Sequence, residues 1–254
     1  MTGIAAPQAI LPFDFEPVQD KRILVTGGTT GIGRAVSLLL ASLGARILVL
    51  GRHQPELDSI MREARRHGKE IAGMTADVAD QHDLERVFRT VDEQFRGLDV
   101  LINNAGLGAG ETAASSYPEI DYVVRTNLIA YMACARAAVE RMERGGIIVN
   151  IGSMSATVRE EGGSVYVATK AGIEGFSESL RKELNPRGIH VSLIEPGAVA
   201  TDMQPMPPEE QSLLEIKEEM LSPQDVAMSI LFCLIQPARS DVVLIRVRPH
   251  QQLI

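Results

Sequence analysis

Short runs of aliphatic and β-branched residues alternate with longer amphipathic stretches along most of the 254-residue chain. The runs are nearly continuous in Val, Ile and Leu, which is typical of strands buried on both faces of a parallel sheet. The candidate strands are RILVTG, RILVLG, EIAGMTAD, LDVLINNAG, GIIVNIGS, HVSLIEPG and DVVLIRV. Because crossovers between parallel strands are right-handed, the pattern predicts an α/β fold: a doubly wound, seven-stranded parallel sheet with helices on both faces.

About six helices are expected between these strands. In DQHDLERVFRTVDEQF, apolar residues recur at offsets of three and four, and Asp80 is placed to cap the first turn. Cys134 and Cys233 lie in apolar helical contexts, where free thiols behave as small hydrophobes. We therefore expect no disulfide framework and no metal site.

The first twenty residues differ from the rest in composition. Pro7, Pro12 and Pro17 prevent regular helix there, so residues 1–20 are interpreted as an extended N-terminal arm and residues 21–254 as one domain. The N-terminus lacks a basic n-region, and no window approaches the roughly 18 apolar residues of a membrane span. These features predict a cytoplasmic protein.

Charge limits the classes of partner. The chain has 33 acidic and 25 basic residues, a net charge of -8, which repels nucleic acid and anionic membrane surfaces. The densest basic stretch, MREARRHGK, includes and adjoins acidic residues and is interpreted as a solvated helix face. We expect a small-molecule substrate, with neither nucleic acid nor membrane as a partner.

The loop after the first strand, TGGTTGIG, is rich in glycine. Gly27, Gly31 and Gly33 follow a G-x-x-x-G-x-G spacing, and Thr29 and Thr30 could add hydroxyl donors. A side-chain-free turn before a helix lets the backbone approach a pyrophosphate and directs N–H groups at its charge. The alternative is a plain glycine-rich turn; the functional interpretation is a Rossmann-like dinucleotide site.

The end of the second strand bears on which dinucleotide is bound. An Asp or Glu usually accepts a hydrogen bond from a free ribose 2′-hydroxyl there, but this chain has Gly51 and Arg52. A guanidinium can bind a 2′-phosphate bidentately, so NADP(H) is favoured over NAD(H). The alternative is that Arg52 is a solvated residue at a helix start.

A tyrosine and a lysine stand four positions apart in SVYVATK. On a helix, Tyr166 and Lys170 would lie one above the other on one face. A tyrosine packed on the core with a lysine stem over it is the commoner arrangement. The spacing alone therefore leaves a structural and a functional interpretation open.

Taken together, the motifs resemble those of the short-chain dehydrogenase/reductase family, in its single-domain form of about 250 residues. The resemblance extends from about residue 21 to about residue 247. The matching motifs are T-G-x-x-x-G-x-G at Thr26–Gly33, NNAG at Asn103–Gly106, Asn127 in TNLIAYM, Ser153 thirteen residues before Tyr166, Y-x-x-x-K, and PGAVAT at Pro196–Thr201.

The resemblance implies a catalytic set of Asn127, Ser153, Tyr166 and Lys170. Tyr166 would donate a proton to the substrate oxygen, with its pKa lowered by the Lys170 ammonium. Ser153 would hold that oxygen, and Asn127 would link the lysine to solvent through water. Alternatively, Ser153 only caps local backbone and Asn127 is an amide bonded to backbone; thirteen-residue spacing favours Ser153 over Ser155.

The resemblance also implies a set of cofactor-binding residues. Asp77 and Val78 would border the adenine, Asn103 and Ala105 the adenosine side, and Val199 and Thr201 the carboxamide, although each could be ordinary loop or core. The complete set is Gly27, Thr29, Thr30, Gly31, Ile32, Gly33, Arg52, Asp77, Val78, Asn103, Ala105, Gly106, Tyr166, Lys170, Val199 and Thr201.

The implied function is NADP(H)-dependent hydride transfer to a carbonyl or from a secondary alcohol of ketone, 3-oxoacyl or hydroxy-acid type. The alternative is a nucleotide-sensing protein without turnover, which would need no proton donor. Epimerases and dehydratases with Y-x-x-x-K carry a larger C-terminal substrate region than this chain has, which argues against those activities.

The resemblance further implies a homodimer or homotetramer formed through residues 117–143 and 164–185. It also implies a lid over the substrate after Thr201.

Overall fold

A computed structural model describes residues 15–252 of the chain. Seven strands form one all-parallel sheet in the order β3-β2-β1-β4-β5-β6-β7, and each predicted run contains one of them. This confirms the predicted Rossmann-like sheet. The strands are β1 (Arg22–Val25), β2 (Arg46–Gly51), β3 (Ile71–Thr75), β4 (Val100–Asn103), β5 (Ile147–Ile151), β6 (His190–Pro196) and β7 (Leu244–Val247).

Helices cover both faces of the sheet. Helix α3 begins where the sequence predicts, because the Asp80 side chain accepts a hydrogen bond from Asp83 N. The α-helices are α1 (Gly31–Ser42), α2 (Gln54–Arg66), α3 (Gln81–Phe95), α4 (Tyr117–Val124), α5 (Ala130–Val139), α6 (Ser155–Val158), α7 (Ser164–Leu184), α8 (Pro208–Ile216) and α9 (Pro223–Leu234). They outnumber the six expected, because a π-helical turn separates α4 from α5 and the loops after β5 and β6 contain α6 and α8.

Successive side chains along a strand point to opposite faces of the sheet, and they join a hydrophobic core on each face. Ile23 and Val25 join the core formed with α1, α2 and α9, whereas Leu24 joins the one formed with α3, α5 and α7. Cys134 and Cys233 are free thiols inside these cores, as expected. All strands point the same way, so the loops that follow them meet at one edge of the sheet.

Part of the expected N-terminal arm, residues 1–14, lies outside the described residues. Residues 15–18 are irregular; Glu16 N donates to Ile235 O, and Val18 is buried in the core beside α1 and α9. The last residues of the arm therefore pack against the domain. Within residues 15–252, no helix is both long and apolar enough to cross a membrane.

An ion pair links β1 to the residue before β4 at the opposite edge of the sheet, where the strands begin. Arg22 donates from Nη2 to Asp99 Oδ1 at 2.6 Å and from Nε to Asp99 Oδ2 at 2.8 Å, linking the start of β1 to the residue before β4. Burial raises the pKa of Asp99, but the hydrogen bonds and charge of Arg22 outweigh it and hold that pKa below its usual value. The folded state therefore favours the carboxylate.

Replacing Asp99 with asparagine is expected to lower the free energy of unfolding by about 1–2 kcal/mol at pH 7, allowing for solvent screening. Because the folded-state pKa is depressed, this stability is present above the unfolded value near 4 and is lost as pH falls through the folded value. Urea denaturation at pH 7 and at pH 3 measures it. A difference from wild type that does not shrink at pH 3 would contradict the assignment.

Candidate active site

A cleft of about 520 Å³ lies at the carboxyl edge of the sheet. It runs from Arg52, after β2, to Tyr166 and Lys170 on α7, so one space connects the two ends of the expected site. The predicted residues that line it are Gly27, Thr29, Thr30, Gly31, Ile32, Arg52, Asp77, Val78, Ala105, Gly106, Ser153, Tyr166, Lys170, Val199 and Thr201.

The glycine turn fits closely against the loop after β4. Gly27 has a φ of +61°, and a Cβ added there would lie 2.8 Å from Ala105 Cα. A Cβ on Gly33 would lie 2.1 Å from Gly27 O and 2.5 Å from the Asn104 amide nitrogen. Gly33 is thus required for packing behind the turn, whereas Gly27 and Gly31 line the cleft.

The first turn of α1 suits a bound anion. Its N-cap, Thr30, is extended, and its side chain makes no capping hydrogen bond to the helix. The N–H groups of that turn are therefore not satisfied by the cap, and they lie beside the cleft with the positive end of the helix dipole. These residues fit the pyrophosphate of a dinucleotide.

The two asparagines of NNAG have different surroundings. Asn103 is buried, and its Nδ2 donates to Asn150 Oδ1 at 2.9 Å, away from the cleft. Asn150 Nδ2 in turn donates to Ser177 Oγ on α7 at 2.9 Å. Asn104 instead lines the cleft, and its Nδ2 donates to Thr26 O and Gly27 O. The Asn103 side chain, which was expected on the adenosine side of a cofactor, therefore lies outside the cleft, and the Asn104 side chain lines it instead.

Tyr166 and Lys170 lie on one face of α7, at the floor of the cleft. The Lys170 Nζ atom is 5.6 Å from the Tyr166 ring centre and donates to Ile151 O at 2.9 Å. Lys170 is only 3% exposed, but it lines the cleft. The structure therefore brings the phenol and the amine together at the end of β5.

Ser153 and Asn127 complete this end of the site. Ser153 follows β5, lines the cleft, and its Oγ accepts a hydrogen bond from Ser155 N at 3.1 Å. Asn127 is fully buried in the π-helical turn; its Nδ2 donates to Leu107 O and its Oδ1 accepts from Leu107 N. A Cβ on Gly106 would lie 3.7 Å from Asn127 Oδ1 and 3.9 Å from Lys170 Nζ, so both groups border the same space.

Burial dominates the protonation of this pair. It raises the pKa of Tyr166, an effect that the Ser153 side chain opposes, and it lowers the pKa of Lys170 to about 8. The direction for Tyr166 is opposite to the one expected from an adjacent ammonium. The reason is that loss of water disfavours the phenolate more than its surroundings favour it.

The other end of the cleft contains groups that the sequence analysis did not select. His53 and Glu56 line it beside Arg52, and Glu56 Oε2 is buried without a hydrogen-bond partner among the described residues. Tyr122, on α4, bonds to both Arg52 and Asp77. Leu107, Met203 and Gln204, which were not predicted either, also line the cleft.

The parallel sheet has a glycine turn at its carboxyl edge, and a tyrosine, a lysine and a serine lie at the far end of the same cleft. Together these features are typical of a nicotinamide-dependent oxidoreductase. The family model for short chain dehydrogenases matches residues 21–211. The chain belongs to this family.

Its relatives include reductases from animals and bacteria. The chain is similar to carbonyl reductase family member 4 of Danio rerio, at 36% identity over 87% of this chain and 94% of that protein. It is 34% identical to a 3-oxoacyl-[acyl-carrier-protein] reductase of Staphylococcus aureus, over 80% of this chain and 82% of that one. A Burkholderia cenocepacia short chain dehydrogenase, solved in complex with NADP, superposes with a TM-score of 0.83 at 30% identity, covering 92% of this chain and 98% of that one.

Proposed function

We propose that this protein transfers a hydride between NADP(H) and a carbonyl or secondary alcohol substrate. The observation that carries the proposal is the placement of Tyr166 over Lys170 on α7, beside Ser153, in a cleft that extends to Arg52. Such a cleft can hold a dinucleotide along its length and leave one end for a substrate.

When bound, the dinucleotide supplies the hydride to the carbonyl carbon. Negative charge then develops on the carbonyl oxygen, and Tyr166 donates its hydroxyl proton to that oxygen. Ser153 donates a hydrogen bond to the same oxygen and orients it. The Lys170 ammonium stabilises the phenolate that remains on Tyr166. In the direction of alcohol oxidation, the same groups act in reverse order.

Three observations support NADP(H). A Cβ on Gly51 would lie 2.4 Å from the Thr29 side chain, so the last position of β2 has no room for the carboxylate side chain that usually accepts a ribose hydroxyl there. Arg52, the next residue, is exposed and lines the cleft, where a guanidinium can pair with a 2′-phosphate. Two similar solved structures, one of them a metagenomic short-chain oxidoreductase at 27% identity and a TM-score of 0.80, hold NADP.

The substrate end of the cleft is partly apolar. Met203, which is 45% exposed, lies in the segment after Thr201, and its Cγ is 3.8 Å from where a Cβ on Gly108 would lie. The segment after Thr201 therefore approaches the loop after β4 across the cleft. Flexible apolar contacts suit ketones, 3-oxoacyl compounds or hydroxy acids of modest size.

The decisive experiment measures NADPH and NADH oxidation over a panel of ketones, 3-oxoesters and short 3-oxoacyl thioesters, and alcohol oxidation with NADP⁺. NADPH-dependent reduction of at least one compound supports the proposal. Tight dinucleotide binding without turnover on any compound would favour the nucleotide-sensing alternative.

The pH profile should report the buried lysine. Because burial lowers the Lys170 pKa to about 8, the ammonium loses its proton as pH rises through that value. We expect kcat/KM for carbonyl reduction to be constant below about pH 7 and to fall toward tenfold per pH unit above about pH 9. Kd values for NADPH at the same pH values separate binding from the proton step, and a flat profile to pH 10 would contradict this role.

We also propose that the protein forms the homodimer or homotetramer that the resemblance implies. Ile129 and Met132, at the end of the π-helical turn and on α5, are 51% and 40% exposed. Apolar side chains of this kind on the outside of a helix suit packing against a second copy.

A further inference from the structure

A tyrosine hydroxyl connects two residues that line the Arg52 end of the cleft. Arg52 Nη1 donates to Tyr122 Oη at 3.0 Å, and Tyr122 Oη donates to Asp77 Oδ2 at 2.6 Å. The direction of both bonds is fixed by chemistry, because a guanidinium only donates and a carboxylate only accepts. A phenol has one proton to donate and lone pairs to accept, so it can serve both neighbours.

Both supports of this bridge are held in place. The first turn of α4 has a capping box in which Ser116 N donates to Glu119 Oε2 at 2.7 Å, so the helix that carries Tyr122 has a defined start. Asp77 accepts from Ala79 N at 2.9 Å through its other carboxylate oxygen. Burial, and then the hydrogen bond to Asp77, raises the pKa of Tyr122, so the hydroxyl keeps its proton near neutral pH.

The bridge leaves Arg52 charged and largely free. Among residues 15–252, the bond to Tyr122 is the only hydrogen bond of the Arg52 guanidinium, and no carboxylate forms an ion pair with it. Tyr122 is neutral, so it restrains the guanidinium without neutralising it. An arginine that is restrained before binding loses less side-chain entropy when it meets a phosphate.

We propose that Tyr122 is a positioning residue for cofactor selection, whose hydroxyl holds the Arg52 guanidinium at the ribose 2′ end of the cleft with its remaining N–H groups free for a 2′-phosphate. The inference rests on the proposed use of NADP(H). It adds a residue from α4 to a selectivity site otherwise formed by the end of β2.

The test is Tyr122→Phe, which keeps the ring and removes the hydroxyl. Titration calorimetry is expected to show a Kd for NADP⁺ raised about 3- to 10-fold and a Kd for NAD⁺ within about twofold of wild type. Because Tyr122 acts through Arg52, the double variant Tyr122→Phe/Arg52→Ala should bind NADP⁺ no more weakly than Arg52→Ala alone. Tyr117→Phe, on the same helix with an 81% exposed ring, is the matched control and should change neither Kd.

Three results would overturn the inference. Equal weakening of both dinucleotides, with a lowered Tm, would mean that Tyr122 only supports the local fold. Unchanged or tighter NADP⁺ binding would mean that the bridge does not present Arg52 to the ligand. Wild-type protein that binds NADP⁺ and NAD⁺ alike would remove the proposed cofactor choice, and this inference with it, whereas a wild-type preference that is undiminished in Tyr122→Phe would remove the inference alone.

Discussion

Replacing Tyr166 with phenylalanine is expected to lower kcat for carbonyl reduction by about 10²- to 10⁴-fold, the usual contribution of a general acid. The variant keeps the ring, whose centre lies 5.6 Å from Lys170 Nζ, and loses only the hydroxyl that would protonate the substrate oxygen. NADPH binding should stay within a few-fold of wild type, since the cleft from Gly27 to Arg52 is unchanged. Stopped-flow turnover and fluorescence titration of NADPH measure the two quantities separately.

Tyr117→Phe serves again as the control, because its exposed ring lies outside the cleft and its turnover should equal that of wild type. If Tyr166→Phe retains turnover within tenfold of wild type, the proton must come from another group. A parallel loss of NADPH binding would indicate instead that the variant has a disturbed cleft.

Arg52→Ala is expected to raise the Kd for NADPH about 10- to 100-fold and to leave the Kd for NADH within about twofold. Charge-assisted hydrogen bonds are worth about 1.5–3 kcal/mol each, and a tenfold change in Kd corresponds to about 1.4 kcal/mol. The effect falls on one cofactor because the two differ only by the 2′-phosphate. Binding titrations with both cofactors at constant ionic strength measure it.

The matched control for Arg52→Ala is Arg65→Ala, which removes an exposed arginine near the other end of α2 and changes the net charge equally. Equal losses for NADPH and NADH would remove the argument for NADP(H). A wild-type preference for NADH would direct attention to Glu56, whose unpartnered carboxylate oxygen lies at the same end of the cleft and could accept a ribose hydroxyl.

The strands could be predicted because their burial on both faces leaves a direct signal in the residues. Every residue of β4 and β5 is buried, so polar positions are excluded until the strand nears its end. The α4–α5 break was not predicted, because a π-helical turn at Arg125–Ile129 has no distinct composition. Helix α8 lies within the segment after Thr201, where the resemblance implies a lid over the substrate but no helix was predicted.

The site was predictable where motifs are local and less so where partners are distant. Tyr166 and Lys170 are four positions apart, whereas Tyr122 is 45 positions from Asp77 and 70 from Arg52, so spacing could not reveal their contact. The burial of the Asn103 side chain could have been predicted, because alternation along β4 places it on the same face as Leu101, which packs toward α5 and α7. Asn104, just past the strand, was then the residue free to face the cleft.

The bonds from Asn103 to Asn150 and on to Ser177 have a consequence for how the molecule can vary. Ser177 is seven residues beyond Lys170, about two helical turns, so it holds the same side of α7 against the strands. A one-residue slip of the helix would move it about 1.5 Å and rotate it about 100°, which would break these buried amide contacts. The alignment of the Tyr166 hydroxyl with the Lys170 amine is thus fixed by buried side chains on β4, β5 and α7. None of these groups belongs to the loops around the cleft. Those loops can diverge or be grafted to admit new substrates while the reacting groups keep their place.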